Sequence, residues 1–370
     1  MKIDCISLYH LRMPLLSAFE TSFGRIHTRD CVLVEAFADG LMGYGECPAD
    51  RDPGYSYETV GTAWHILQDF LIPAVLDQEL SGVDDLQQRM AFVRGHLMAK
   101  AGLEMALWDL LGKAQGVPLS QLLGGVHKKV DVGVSVGLQE SPQQLVEAVQ
   151  AYFKLGYRRV KVKIKPGRDV GDATAVRQEF PSLRLQVDAN SAYTLESARS
   201  LTPLDELDLL LIEQPLAEDD LWDHRRLQAE FRTSICLDES ITSLRLARQA
   251  LEMQACRVIN IKAGRVGGLS QAVAVHDLCA RQGVPVWCGG MLETGVGRAS
   301  NLALASLPGF TLPGDISATD RYYHEDITNE RFVLNTDSTI DVPAAPGLGV
   351  SIYPAALNRA TLIRINLTNL

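Results

Sequence analysis

Scarcity is the first guide to this 370-residue sequence. No stretch is long and apolar enough to span a bilayer. Positive charge is in deficit: 35 Lys and Arg against 45 Asp and Glu leave a formal net charge of −10. Nucleic acids and anionic membranes both demand clustered Lys and Arg, so neither is an expected partner, and a small-molecule ligand is. The 7 cysteines form an odd set without a Cys-x-x-Cys pair, which argues against a disulfide framework or zinc site and for a reducing compartment. The 8 histidines show no metal-type spacing, so a zinc hydrolase is not expected. The opening "MKIDCISLYHLRMPL" lacks the continuous apolar core and small-residue cleavage site of a signal peptide. A cytoplasmic protein is expected.

What is present is a globular composition, 46% hydrophobic and 22% charged, in a chain too long for one ordinary domain. Residues 1–50 read as strands with turns, "ADG" being a hairpin signal between two alternating runs. Helical patterns follow. In "AGLEMALWDLLGKAQG", Leu103, Leu107, Leu110 and Leu111 share a face, Trp108 reads as core, and Gly116 and Pro118 supply stop signals. Strands followed by helices predict an α+β domain over residues 1–125. From 126 to 328 short apolar strands alternate with helical segments: "VDVGVSVG", "RRVKVKI", "LRLQVDAN", "LDLLLIEQP", "TSICLDES", "CRVINIKAG", "VPVWCGG". Seven such strands, with an eighth near "FTLPGDIS", predict a closed α/β barrel of parallel strands. Neither a Gly-x-Gly-x-x-Gly nor a Walker loop follows its first strand, which weakens a dinucleotide-binding sheet, and "TGVGRAS" reads as a tight loop. Residues 329–370 read as irregular structure that returns to pack on the first domain.

The strand ends carry the chemistry. Lys163, Asp188, Glu213, Asp238 and Lys262 recur every 24 to 25 residues, about the length of one strand, one helix and two loops. Each therefore occupies the equivalent place on its unit, and all five meet at the carboxyl-end mouth of the barrel. Three carboxylates on adjacent strands repel one another unless a cation sits among them. Oxygen ligands without His or Cys suit a hard ion, Mg²⁺ first and Mn²⁺ second. Glu239 follows Asp238 and by alternation should point away from the barrel axis, so the ligand is assigned to Asp238.

In "VKVKIKPGRD", Lys161, Lys163 and Lys165 point to one face of a strand, with Lys165 at the rim before Pro166. Lys163 on the second strand and Lys262 on the sixth stand opposite each other across the ring. Desolvation and a neighbouring cation, Lys161 for Lys163, are expected to bring such an amine from about 10.4 toward roughly 7 to 8. A divalent ion gripping a carboxylate between two amines is built to remove the adjacent α-proton and hold the enediolate. Two opposed bases permit racemisation; a leaving group on the β-carbon turns the same intermediate to elimination.

The motifs "KVK", "VDAN", "IEQP", "LDES", "NIKAGRVGG" and "WCGGMLETGVGR" resemble the enolase superfamily, muconate-lactonizing-enzyme subgroup. "ETSFG", "WCGGMLETG" and "LPGDISATDRYYHEDI" look most like the o-succinylbenzoate synthase / N-succinylamino acid racemase family. The resemblance covers nearly the whole chain. It implies a capping domain over a modified (β/α)7β barrel, Mg²⁺ on Asp188, Glu213 and Asp238, and Lys163 and Lys262 as acid/base pair. It also implies substrate contacts at Ser135, Asn190, Gly290 and Met291, with Arg265 tuning Lys262 or holding a carboxylate. Lid loops over Phe19 to Phe23 and Pro48 to Tyr57 should close on a succinyl end; the second carries an Arg51-Asp52 pair where an apolar lid is expected.

Two reactions follow from the resemblance: dehydration of 2-succinyl-6-hydroxy-2,4-cyclohexadiene-1-carboxylate, a step toward menaquinone, and racemisation of N-succinyl or other N-acyl amino acids. Dipeptide epimerisation is disfavoured because the Asp-x-Asp of that relative reads Asp315-Ile316-Ser317 here. Muconate cycloisomerisation and a non-catalytic carboxylate-binding barrel are lesser alternatives. Isologous assembly of the capping domains into a homo-oligomer is expected.

Overall fold

The computed structural model describes residues 1–368. Its first residues form an antiparallel sheet of β1 (Ile3–Thr21), β2 (Gly24–Ala38) and β3 (Leu41–Cys47). Ser22 and Phe23 turn β1 into β2, and Asp39-Gly40, both at positive φ, turns β2 into β3 as the Asp-Gly signal predicts. The helix Leu97–Gln115 lies on this sheet and stops at Gly116. Gly45 makes the close approach possible: a Cβ there would sit 2.0 Å from the carbonyl oxygen of Gly102. Leu103, Leu107 and Leu110 fill the interface, and Trp108 is half-buried between this core and the next.

The following strands are short and almost wholly apolar on the outside of a ring: β4 (Lys129–Asp131), β5 (Val134–Val136), β6 (Arg159–Lys163), β7 (Arg184–Asp188), β8 (Ile212–Glu213), β9 (Ile235–Leu237), β10 (Val258–Ile261) and β11 (Val286–Cys288). From β5 to β11 they make a seven-stranded parallel sheet in sequence order. The segment 310–315 bridges its two ends. Asp315 N–H donates to the Cys288 carbonyl at 2.8 Å on one side, and Gly133 N–H donates to the Gly314 carbonyl at 2.8 Å on the other. Pro313 removes one donor, so this eighth segment closes the ring without forming a regular strand. β12 (Thr339–Asp341) pairs with β4, and β13 (Thr361–Thr368) pairs with β1, Cys5 lying opposite Thr368.

Two buried carboxylates pin the first sheet and its helix to the barrel. Glu46, at the end of β3, accepts from Thr294 N–H and Gly297 N–H, both at 3.1 Å, and from the Thr294 hydroxyl at 2.6 Å. These groups open the helix Gly295–Ala305. Glu104 does the same for the helix Leu269–Arg281, accepting from Leu269 N–H and from Ser270 N–H at 3.3 Å. Each carboxyl group satisfies donors that have no partner within their own helix. "TGVGRAS" is therefore a helix start rather than the tight loop expected, because Thr294 caps it and Glu46 takes its free N–H groups. Among the described residues no helix is long and apolar enough to cross a membrane, and the seven cysteines are free thiols.

Candidate active site

The inner face of β6 carries Arg159, Lys161 and Lys163, all buried. The row of cations thus begins two residues earlier than the Lys161, Lys163, Lys165 reading. β6 ends at Lys163, and Lys165 pairs with Arg168 across the turn that Pro166 and Gly167 make. Arg159 donates to Asp315 at 3.0 Å and lies 5.3 Å from the Trp287 ring. Lys161 reaches Asp188 at 3.1 Å and both Glu213 and Asp315 at 3.0 Å. Lys163 donates to Asp188 and to the side-chain oxygen of Asn190, each at 2.6 Å.

Strand register explains the regular spacing. Lys163 lies beside Asp188 and Asp188 beside Glu213. Asp238 follows immediately after β9, and Lys262 immediately after β10. All three carboxylates are fully buried. Asn260, two residues before Lys262 on the same face, donates to Glu213 at 2.8 Å. Asp238 accepts from Lys262 at 2.8 Å, from the Tyr55 hydroxyl at 3.0 Å and from Arg265. Arg265 therefore holds a carboxylate, and at 3.2 Å it also reaches the Tyr55 oxygen.

Crowding shows in the protonation of these groups. Burial and the neighbouring Asp188 push Glu213 up to about 7, against the pull of the lysines. Burial also works against ionised Asp188, but Lys163 and Lys161 outweigh it and hold its carboxyl below the ordinary range. Lys262 departs from the expected lowering: burial pulls its pKa down, yet Tyr55, Glu213 and Glu239 together raise it above the ordinary value. Lys161 is raised likewise by Asp315, Glu213 and Asp188. Desolvation alone predicts an easily lost proton; the carboxylates on the adjacent strands reverse the sign.

Glu239 does not point away from the axis. It is buried, and one oxygen accepts from the Asn190 side chain at 3.0 Å. β9 ends at Leu237, so alternation no longer governs the residue two places on. Asn190 itself, at φ 42, links Lys163 to Glu239. The Ser135 hydroxyl donates to Asp315 at 2.6 Å, so toward a ligand it has only acceptor capacity left. Gly290 and Met291 line the cavity. A Cβ on Gly290 would lie 2.5 Å from the Asp315 carbonyl oxygen, so only glycine fits. Leu292 follows at φ 58, held by Tyr323, which donates to its carbonyl, and by Glu293, which accepts from Met291 N–H at 2.7 Å.

The donor set suits a hard divalent cation: the carboxylates of Asp188, Glu213 and Asp238 offer oxygen only. Close by, Glu239 Oε2 and Asn260 Oδ1 are buried without a partner. As the side chains stand, no three His, Cys, Asp or Glu among the described residues converge into a metal cage, because the oxygens turn onto Lys161, Lys163, Lys262 and Arg265. The residues fit the ion in donor chemistry, and as the side chains stand ammonium groups answer the charge instead.

Over this floor lies a cavity of about 470 Å³, walled by Phe19, Thr21 and Phe23 from the β1–β2 hairpin and by Pro48, Asp50, Asp52, Gly54, Tyr55 and Ser56 from the loop after β3. The Ser22 hydroxyl ties the hairpin tip to the Asn190 carbonyl at 3.1 Å. Arg51 and Asp52 pair with each other at 2.8 Å on the exposed side of the second loop. Tyr55 reaches inward; its hydroxyl accepts from Lys262 at 3.0 Å. The sequence reading gave no role to Arg159 or Asn260, although period-two alternation points to both, and it placed Tyr55 in a lid loop and Asp315 on the closing segment without assigning their contacts with Lys262 and Lys161.

Residues 6–124 match the mandelate racemase / muconate lactonizing enzyme N-terminal domain, and residues 144–356 the enolase C-terminal domain-like model. The chain is 50% identical over 360 residues to an o-succinylbenzoate synthase of Geobacillus kaustophilus, covering 97% of this chain and 96% of the relative. It is 48% identical to an N-succinylamino acid racemase of Thermus thermophilus, with 98% of each covered. A solved structure of an enolase superfamily member from Listeria innocua superposes with a TM-score of 0.96 at 40% identity, over 100% of this chain and 99% of that one.

Proposed function

Because the chain belongs to the mandelate racemase / muconate lactonizing enzyme family of the enolase superfamily, we propose that it is an o-succinylbenzoate synthase that also racemises N-succinylamino acids. The observation that carries this reading is the pair of buried amines, Lys163 and Lys262, lining one cavity with the strands of Asp188, Glu213 and Asp238 between them.

In this reading Asp188, Glu213 and Asp238 hold Mg²⁺, or Mn²⁺ in its place. When bound, the ion supplies Lewis-acid stabilisation to the substrate carboxylate and answers part of the negative charge that otherwise retains the Lys262 proton. The lysine Nζ on one face takes the α-proton, and the opposite Nζ returns one to the other face, inverting the centre. Where a hydroxyl stands on the β-carbon, the electron pair of the broken C–H bond forms the double bond. The hydroxyl then leaves as water, carrying a proton from an ammonium. Lys161, bound to three carboxylates, keeps positive charge beside Lys163 without moving a proton. Asn190 holds Lys163 in place, and the lid residues Phe19, Phe23 and Tyr55 exclude water.

The test is proton NMR of N-succinyl-L-phenylalanine with enzyme and Mg²⁺ in D₂O, followed with optical rotation, beside a spectrophotometric assay of the cyclohexadiene dehydration. Loss of the α-proton signal with racemisation, together with dehydration, is expected. Metal-loaded, folded protein that does neither overturns the reading.

A further inference from the structure

Charged side chains around the cavity are almost all engaged. Lys161, Lys163 and Lys262 lie on the strand-end carboxylates. Arg29 donates to the carbonyls of Met291, Asp30 and Pro48 and pairs with Asp50 at 3.1 Å. On the acidic side, Asp52 is taken by Arg51, Glu58 by the N–H groups of Met98 and Ala99, and Asp315 by Lys161 and Arg159. Among the described residues one charged group lining the cavity has no hydrogen bond and no ion pair: Arg25.

Arg25 is the second residue of β2, just past the hairpin tip, and is exposed at the mouth. Glu20 lies opposite it in the hairpin register but does not line the cavity, and no ion pair joins the two. The same cavity is lined by the apolar side chains of Phe19, Phe23, Ile26, Met291 and Leu292. The cavity therefore asks for a ligand with one carboxylate at the floor, an apolar middle and a second anion at the mouth. A guanidinium free of internal partners forms charge-assisted hydrogen bonds to such an anion without first breaking others.

Building on the reading above, we propose that Arg25 binds the far carboxylate of the acyl arm, selecting succinyl-type over neutral acyl substrates. The experiment compares N-succinyl-L-phenylalanine with N-butyryl-L-phenylalanine, in which a methyl replaces that carboxylate, in wild type, Arg25→Met and Arg25→Lys. A hydrogen bond to a charged group supports a preference of roughly tenfold or more in kcat/KM for succinyl by the wild type. Arg25→Met is expected to remove this preference, mainly through KM, while butyryl turnover stays within about twofold; Arg25→Lys is expected to restore part of it. An Arg25→Met variant that loses both substrates equally, or neither, overturns the assignment. Absence of turnover with both substrates in the wild type would instead count against the proposed function. Calorimetric binding of the same two compounds to wild type and Arg25→Met then decides on Arg25 by the same difference.

Discussion

The Tyr55 hydroxyl lies 3.0 Å from the Lys262 ammonium and 3.0 Å from an Asp238 oxygen, and the ammonium sits 4.4 Å from the centre of the same ring. A residue of the loop after β3 thereby touches both a proposed base and a proposed metal ligand, so the position of that loop is tied to that of Lys262. Tyr55→Phe keeps the ring and removes the hydroxyl. The hydroxyl is hydrogen-bonded to Asp238, Lys262 and Arg265, and losing these bonds to charged groups predicts a fall in kcat/KM of about tenfold or more, read by steady-state kinetics. Unchanged kinetics would mean that the contact is incidental.

In the proposed mechanism the two lysines serve opposite faces, and that asymmetry is measurable. Lys163→Ala and Lys262→Ala should each lower racemisation by at least about 100-fold. Each variant should still wash out the α-proton of one enantiomer in D₂O, and the two should choose opposite enantiomers. Identical loss of exchange with both enantiomers in both variants would contradict a base on each face.

Metal removal gives a readout independent of turnover. A chelator should abolish activity and Mg²⁺ restore it. Binding at 100 times Kd adds about 2.7 kcal/mol to stability, which raises Tm by several degrees. Glu213→Gln should shrink this thermal shift. A shift of the same size in the variant would place the ion elsewhere.

Glu46 supplies a pH dependence far from the chemistry. Burial, then the neighbouring Glu293, push its carboxyl up from 4.5 to about 7, against the pull of Thr294 and Arg29. The folded state then binds the proton more tightly than the unfolded chain. This contribution is fully present below about pH 4.5 and is lost as pH rises through about 7. At roughly 1.4 kcal/mol per unit, the change is at most about 3 to 4 kcal/mol. Urea unfolding at pH 5 and pH 8 should show a larger loss for wild type than for Glu46→Gln. Equal losses would remove Glu46 as the cause.

The regular recurrence from Lys163 to Lys262 was legible because a parallel barrel repeats one strand and one helix, so equal spacing means equal height in the ring. The same periodic argument failed where the strand stopped. Glu239 was turned outward by an alternation that ends at Leu237, and the strand expected to reach the rim residue Lys165 stops at Lys163. The lowering expected for such an amine failed at Lys262 for another reason: it rested on burial and could not place Tyr55 and Glu239, which with Glu213 raise it. Tyr55 lies 207 residues from Lys262, and no local pattern announces such a contact.

The pairing of Cys5 with Thr368 sets a schedule for synthesis. The outer edge of β1 emerges first and has no neighbour until the whole barrel has been translated, roughly 20 to 70 s later at about 5 to 20 residues per second. For that interval a bare strand edge is open to pairing with a second nascent chain. Conditions that slow elongation should therefore raise aggregation of this protein even when its finished form is stable.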